Sequence, residues 1–245
     1  MAEPREPTVA ELQAQLAALR AEMHDFTYTV SHDLRAPLRH IVSFAQLIQD
    51  EGSAQLSPEL QGFLGTLNQS AKHLGAMLDA LLELSRAGTV PLHIAPVPLQ
   101  ALVQEVVNEL NAQHPQRHIE WLIDTALPVV QADASLLRQV LWQVMGNAVK
   151  FTGTQAQATI VVDVQPGGES GQVMLRIQDN GVGFNPALVT KLFQPFQRLH
   201  NAKSFDGQGM GLALVRKLLQ RMGGSVHADA QEGAGCTVRV LLPRA

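Results

Sequence analysis

TYTVSHDLRAPLRHIVSFAQLIQD, residues 27–50, decides the first half of the fold. Val30, Leu34, Leu38, Ile41, Ala45 and Ile48 recur three or four apart, the period of an α-helix with one apolar face. Upstream, Val9, Leu12, Leu16, Leu19, Met23 and Phe26 carry the stripe back to a start signal. Thr8 stands at the N-cap position with Glu11 three residues on. One long helix is therefore expected over residues 9–50, with a coiled-coil-like segment at 9–26. EGSAQLS (51–57) reads as a turn. A second helix starts at Pro58, a favoured first helical residue, and runs to about Arg86. Its stripe is Leu60, Phe63, Leu64, Leu67, Leu74, Met77, Leu78, Leu81 and Leu84. Two helices joined by a short turn form an antiparallel hairpin, which buries only one seam. Each apolar face here is broader than that, so two copies are expected to close a four-helix bundle as a homodimer.

AGTVPLHIAPVP, residues 87–98, carries three prolines and ends the helical period. Beyond it the pattern becomes mixed. Helices are expected at 99–112, at 134–149 and from Gly211 to Gly223-Gly224. Strands are expected at 118–123, 158–164, 172–178, 226–230 and 236–242, with PGGESG as the turn between the second and third. Antiparallel strands interspersed with helices describe a two-layer α/β sandwich. The expected organisation is a helical hairpin over residues 1–88, a linker over 89–98 and an α/β domain over 99–245, an α+β chain overall.

The composition narrows the function. The chain has 245 residues, a formal net charge of −4 and 46% hydrophobic residues. That charge argues against nucleic acid or an anionic membrane surface as the main partner. No apolar run approaches the ~20 residues of a membrane span. The polar, acidic N-terminus is not a secretory signal, and the single cysteine, Cys236, reads as a small buried hydrophobe of a reducing compartment. The expected location is the cytoplasm.

His32 stands out among nine histidines by its position. It lies two residues from Val30 and two from Leu34, about 200° of helical rotation off the apolar stripe, so it faces solvent with Tyr28, Ala36, Arg39 and Ser43. Asp33 follows directly; a carboxylate there can accept a hydrogen bond from one ring nitrogen and leave the other as a nucleophile. Pro37, inside the helix, cannot donate to the Asp33 carbonyl. It reads equally as a tolerated kink or as a bend that gives a second domain access to the imidazole.

The α/β half holds three further patterns. Gln139, Gln143, Asn147 and Lys150 share one helix face, opposite Val140, Leu141, Val144, Met145 and Ala148. Amides and an ammonium so aligned suit an anionic ligand with a metal ion, or else form an ordinary exposed face. QDNGVGFN (178–185) puts Asp179 at a strand end, followed by Gly181 and Gly183, which let backbone approach a flat ligand. DGQGMGLAL (206–214) places Gly207, Gly209 and Gly211 before a helix, where backbone N–H groups can face phosphates. Between these two, LFQPFQRLHNAKSF (192–205), with Phe193, Phe196 and Arg198, reads as a lid.

Taken in order, SHDLRAPLRHI, LRQVLWQVMGNAVKFT, QDNGVGF, LFQPFQRL and DGQGMGLAL resemble the bacterial two-component sensor histidine kinases over nearly the whole chain. HDLRAPLR and FQRLH are most similar to the kinase modules of phytochrome-type sensors. The resemblance implies a dimerisation and phosphoacceptor hairpin followed by a Bergerat-type ATP-binding domain. His32 would take the γ-phosphoryl group of ATP, with Asp33 orienting the imidazole and acting as general base. Asn147, with Gln143, would ligate Mg2+, and Lys150 would contact phosphate. Asp179 would read the adenine amine, Gly181 and Gly183 would shape its pocket, and Thr237 would lie beside it. Gly207, Gly209 and Gly211 would form the phosphate lid. The phosphoryl group would then pass to an aspartate of a response regulator receiver domain.

Two positions depart from the family pattern. Gln143 stands where many members have asparagine. Ala36 stands where members that dephosphorylate their regulator often have Thr or Asn, which implies weak phosphatase activity. The segment ahead of His32 is too short for a sensor domain of ordinary size, so the signal is expected from an upstream sensor domain or partner, entering through residues 9–26. Two other readings stand beside the kinase: an inactive ATP-binding scaffold of the same fold, and a Bergerat-fold ATPase of the chaperone or topoisomerase kind, in which the histidine-bearing hairpin has no place.

Overall fold

The computed structural model describes residues 8–52, 55–165, 171–200, 205 and 207–245. Parts of the expected turns at 51–57 and 166–171, of the expected lid at 192–205 and of the glycine pattern at 206–214 lie outside them. The chain divides between Arg86 and Ala87 into two compact units.

The first unit is the hairpin of α1 (Val9–Gly52) and α2 (Pro58–Arg86). α1 begins on the expected capping box: the Thr8 backbone N–H donates to Glu11 Oε2 at 2.7 Å, and the Glu11 N–H donates back to Thr8 Oγ1 at 3.3 Å. The helix continues through Pro37 without a break.

The seam between the helices differs from the expected stripe. Ser31, Leu38 and Ala45 of α1 are buried, as are Asn68, Ala71, Leu78 and Leu82 of α2. Val30, Leu34, Ile41 and Ile48, read from the period as part of one stripe, are exposed, together with Phe44, Leu60, Phe63, Leu67 and Leu74. The apolar surface of each helix is wide enough for two contacts, and the hairpin uses the narrower, more polar one. Small residues make that contact possible: a Cβ on Gly75 would sit 3.2 Å from Leu38 Cδ2. Asn68 Nδ2 donates across the seam to Gln46 Oε1 at 3.1 Å, and Arg35 donates to Asp79 at 2.7 Å on the surface.

The second unit is an α/β sandwich. In chain order it holds β1 (Ala95–Pro98), α3 (Leu99–Gln113), β2 (Ile119–Ile123), β3 (Val129–Ala132), α4 (Ala134–Phe151), β4 (Ala158–Gln165), β5 (Gln172–Asp179), α5 (Val189–Leu192), α6 (Gly211–Arg221), β6 (Ser225–Ala230) and β7 (Cys236–Pro243). The main sheet has the order β2-β4-β5-β7-β6. It is mixed, not wholly antiparallel as expected: β2 runs parallel to β4, and the long crossover through α4 that such a pair requires is present. Alternation along the strands turns Ile160, Val162, Leu175, Ile177, Val240 and Leu242 inward. α4 packs on β4 and β5, and α6 packs on β6 and on α4.

β1 and β3 pair as a small second sheet, β1 falling within the stretch expected as a linker. With it, the stretch read as a linker is tied to this unit. Arg221, at the end of α6, donates to the carbonyls of Ala87 (2.7 Å) and Val90. Asp133, the N-cap of α4, accepts from the His93 N–H at 2.9 Å as well as from Ser135 and Leu136.

Candidate active site

The side chains of His32 and Asp33 are 68% and 71% exposed, and His32 Nδ1 lies 3.1 Å from Asp33 Oδ1. The neighbouring-residue geometry expected from the sequence is therefore formed. With Nδ1–H donating to the carboxylate, Nε2 carries the free lone pair. Tyr28, one turn earlier, stacks on the imidazole at 6.4 Å between ring centroids.

In the second unit, α4, the end of β5 and the N-terminus of α6 converge. Asp179, at the last position of β5, is only 7% exposed. Its Oδ1 accepts from the Gly181 N–H at 2.8 Å and the Cys236 N–H at 3.3 Å. Burial pushes its carboxyl up to about 6 against the pull of those two donors. Both donors land on Oδ1, which leaves Oδ2 for a ligand.

The loop after Asp179 is locked to its surroundings. Asn180 accepts from the Thr159 N–H and donates to the Gln157 carbonyl. The Val182 N–H donates to the Phe151 carbonyl at the end of α4. Gly183 has φ +59° and a Cβ there would overlap the Gln231 carbonyl, so no side chain fits. Gly183→Ala is expected to abolish nucleotide binding, checked by titrating a fluorescent ATP analogue. The cause is the forced separation of this loop from the β6–β7 turn, whose Gly233 N–H donates to the Val182 carbonyl at 2.8 Å.

Gln143, Asn147 and Lys150 sit half-buried on one face of α4, as their spacing implied. Lys150 Nζ lies 4.4 Å from the centre of the Phe151 ring. A Cβ on Gly207 would come 3.3 Å from the same Nζ, so the first lid glycine is beside the lysine. Gly209 packs on the backbone of Gln197. Gly211, the first residue of α6, lies against the Gln143 amide, which would have to move to admit a Cβ there. The extra methylene of Gln143 over asparagine thus carries its amide to the α6 N-terminus.

Thr237 is the one candidate the structure moves away from the pocket. It pairs with Gln178, while Cys236 pairs with Asp179. Because side chains alternate across a sheet, Cys236 shares the Asp179 face and Thr237 takes the other. Burial, then Asp179 and Asp229, push the Cys236 thiol up to about 12, so it is an inert wall group, in keeping with its reading as a small hydrophobe.

His200 was not singled out in the sequence. It packs on Phe151 at 5.1 Å and on Phe205 at 5.4 Å, and Phe205 also meets Phe151 at 5.1 Å. Burial lowers the His200 pKa; a hydrogen bond to the Gly183 backbone acts the other way, and nearby Lys150 adds to the lowering. Arg198 Nη2 donates to the Phe205 carbonyl at 2.6 Å. The only available signal was the aromatic spacing in the segment read as a lid.

A buried carboxylate at a strand end, a glycine loop beside it and a lysine facing a glycine-rich helix start define a nucleotide site on a Bergerat-type sheet. Comparison with known proteins agrees. Residues 22–89 match the His Kinase A (phospho-acceptor) domain, and residues 132–245 match the histidine kinase-, DNA gyrase B- and HSP90-like ATPase domain. The chain is 29% identical to the circadian input-output histidine kinase CikA of Synechococcus elongatus, over 92% of its own length and 30% of that protein. It is 30% identical to the aerobic respiration control sensor protein ArcB of Escherichia coli, over 89% of its length and 28% of that protein. Among solved structures, full-length ShkA in complex with AMPPNP matches 90% of the chain, and 46% of its own, at 28% identity and a TM-score of 0.62. The chain belongs to the sensor histidine kinases and carries their catalytic core. It spans less than a third of the curated relatives described here. A phytochrome-like protein, Cph1 of Synechocystis, matches at 25% identity over 96% of the chain and 31% of its own length, which does not set that subgroup apart from the others.

Proposed function

We propose that this chain phosphorylates its own His32 from ATP and passes the phosphoryl group to an aspartate of a response regulator receiver domain. The observation that carries this reading is the exposed His32–Asp33 pair in one chain with a formed nucleotide site. His32 Nε2 attacks the γ-phosphorus, the bond to the β,γ-bridging oxygen breaks and ADP leaves. The proton on Nδ1 moves toward Asp33 as the imidazole gains the phosphoryl group. In the second step the N–P bond breaks as a carboxylate oxygen of the regulator takes the phosphoryl group.

Asp179 Oδ2 accepts from the exocyclic amine of adenine, within a pocket shaped by Gly181 and Gly183. Lys150 and the backbone around Gly207, Gly209 and Gly211 meet the phosphates. Among the described residues no group of three or more His, Cys, Asp or Glu could hold a metal by itself. That fits Mg2+, which binds through few protein oxygens and the substrate phosphates. The Asn147 amide oxygen would be its protein ligand, and the Gln143 amide, which lies against Gly211, would be a secondary one. When bound, the ion neutralises phosphate charge.

The exposed stripe on the hairpin, from Val30 to Phe44 on α1 and from Leu60 to Leu74 on α2, supports a homodimer through a four-helix bundle. Among the described residues no helix is long and apolar enough to cross a membrane. The kinase works in the cytoplasm, under an upstream sensor domain or partner.

The test is incubation with γ-labelled ATP and Mg2+, followed by acid and alkali treatment and by addition of a receiver domain. Label that survives alkali, is lost in acid and moves to the receiver is the expected result. ATP binding with no label would sustain the scaffold reading, and turnover to free phosphate without a phosphoprotein would place the chain among the other ATPases of this fold.

A further inference from the structure

Arg117 belongs to none of the sequence motifs, yet it reaches the end of the helix that carries them. It lies in the turn between α3 and β2, where its N–H donates to the His114 carbonyl at 3.0 Å. Its guanidinium Nη1 donates to the Val149 carbonyl and Nη2 to Thr152 Oγ1, the latter at 3.3 Å. Thr152 is fully buried, and its hydroxyl lies within hydrogen-bond distance of the Ala148 (2.8 Å) and Val149 (3.0 Å) carbonyls.

The last carbonyls of a helix have no partner within it. In α4 each is met from outside. Ala148 accepts from the Thr152 N–H, Val149 from Arg117, Lys150 from the Gly153 N–H and Phe151 from the Val182 N–H. This turn bears Asn147, Lys150 and Phe151, and the Val149 carbonyl is part of the peptide unit that leads into Lys150. Its far side is fastened to the loop after Asp179. A cation here also meets the negative end of the α4 dipole. Among the described residues no carboxylate pairs with Arg117.

We infer that Arg117 is a positioning residue of the nucleotide site, holding the last turn of α4 so that Lys150 and Asn147 face the phosphates beside Gly207. The inference rests on the nucleotide-binding reading of that site. Its two-armed contact cannot be reproduced by lysine, which offers a point charge in place of a planar fork.

The experiment measures autophosphorylation at varied ATP, and the affinity for a fluorescent ATP analogue, in the full chain and its Arg117→Ala and Arg117→Lys variants. Positioning acts on phosphate contacts made before and during transfer, so it moves KM rather than kcat. In Arg117→Ala, KM and the analogue dissociation constant are expected to rise about tenfold, with kcat within about twofold. Arg117→Lys falls between, and millimolar guanidinium restores the affinity of Arg117→Ala. A merely structural residue would lower the melting temperature and the active fraction, hence kcat, with KM and analogue affinity unchanged; that result overturns the inference. Failure of the unsubstituted chain to bind the analogue would instead overturn the reading of the site itself, and Arg117's role with it.

Discussion

Glutamine at position 32 abolishes labelling from γ-labelled ATP while leaving the nucleotide affinity as it was. The separation is expected because the imidazole is on the exposed face of the hairpin and Asp179 and Lys150 belong to the other unit. The more informative variants are at Asp33. Asp33→Asn keeps an oxygen that accepts from His32 Nδ1–H, so the ring stays oriented with Nε2 outward, but it takes no proton as the imidazole is phosphorylated. Loss of a general base in this position is worth about 10²–10⁴ in rate. Asp33→Ala removes both functions, and its further loss relative to Asp33→Asn measures orientation alone. The rates are to be compared in single turnover at saturating ATP. An Asp33→Asn rate within a few-fold of the unsubstituted chain would leave Asp33 only an orienting role.

How far the sequence could be read follows from which signals are local. The capping box at Thr8, the start at Pro58, the period of α4 and the glycines around Asp179 are local, and the structure has them where they were read. The hairpin seam was not separable from the rest of the apolar surface. Val30 and Leu38 fall on one broad stripe by period, and only the packing of α2 decides that Leu38 is inside and Val30 outside. Thr237 shows the limit in a strand. A shift of one residue exchanges the two faces, and the register that sets Cys236 opposite Asp179 comes from pairing with β5, not from the sequence around Gly235. The β1–β3 pair was missed because each strand has four residues and β1 holds two prolines. Arg117 carried no signal at all, since the partners of its guanidinium, the Val149 carbonyl and the Thr152 hydroxyl, are more than thirty residues away in the chain.

Asp179→Asn is expected to lower ATP affinity by about a hundredfold, the upper range for a hydrogen bond to a charged group, and at the same time to stabilise the nucleotide-free protein. The two effects have one source. Burial raises the Asp179 carboxyl from 3.8 to about 6, so the folded state holds the proton more tightly than the unfolded state does. Stability from this group is therefore greatest below pH 4 and is lost as pH rises through about 6, a difference on the order of 3 kcal/mol at neutral pH. Asparagine removes the titration, so the variant melts several degrees higher than the unsubstituted chain at pH 7.5, and the gap closes toward pH 4. Nucleotide binding has the opposite sign. The adenine amine donates to the ionised carboxylate, so ATP affinity falls as pH drops through about 6, approaching tenfold per unit below it. Melting curves from pH 4 to 8 and analogue titrations from pH 5 to 7.5 read the two slopes. An affinity flat over that range, or an asparagine variant no more stable at pH 7.5, would mean that Asp179 is not the buried anion the geometry describes. The opposed slopes are what a site selective for adenine produces: the fold bears a desolvated charge at working pH because the ionised carboxylate accepts the amine more strongly than the neutral acid does.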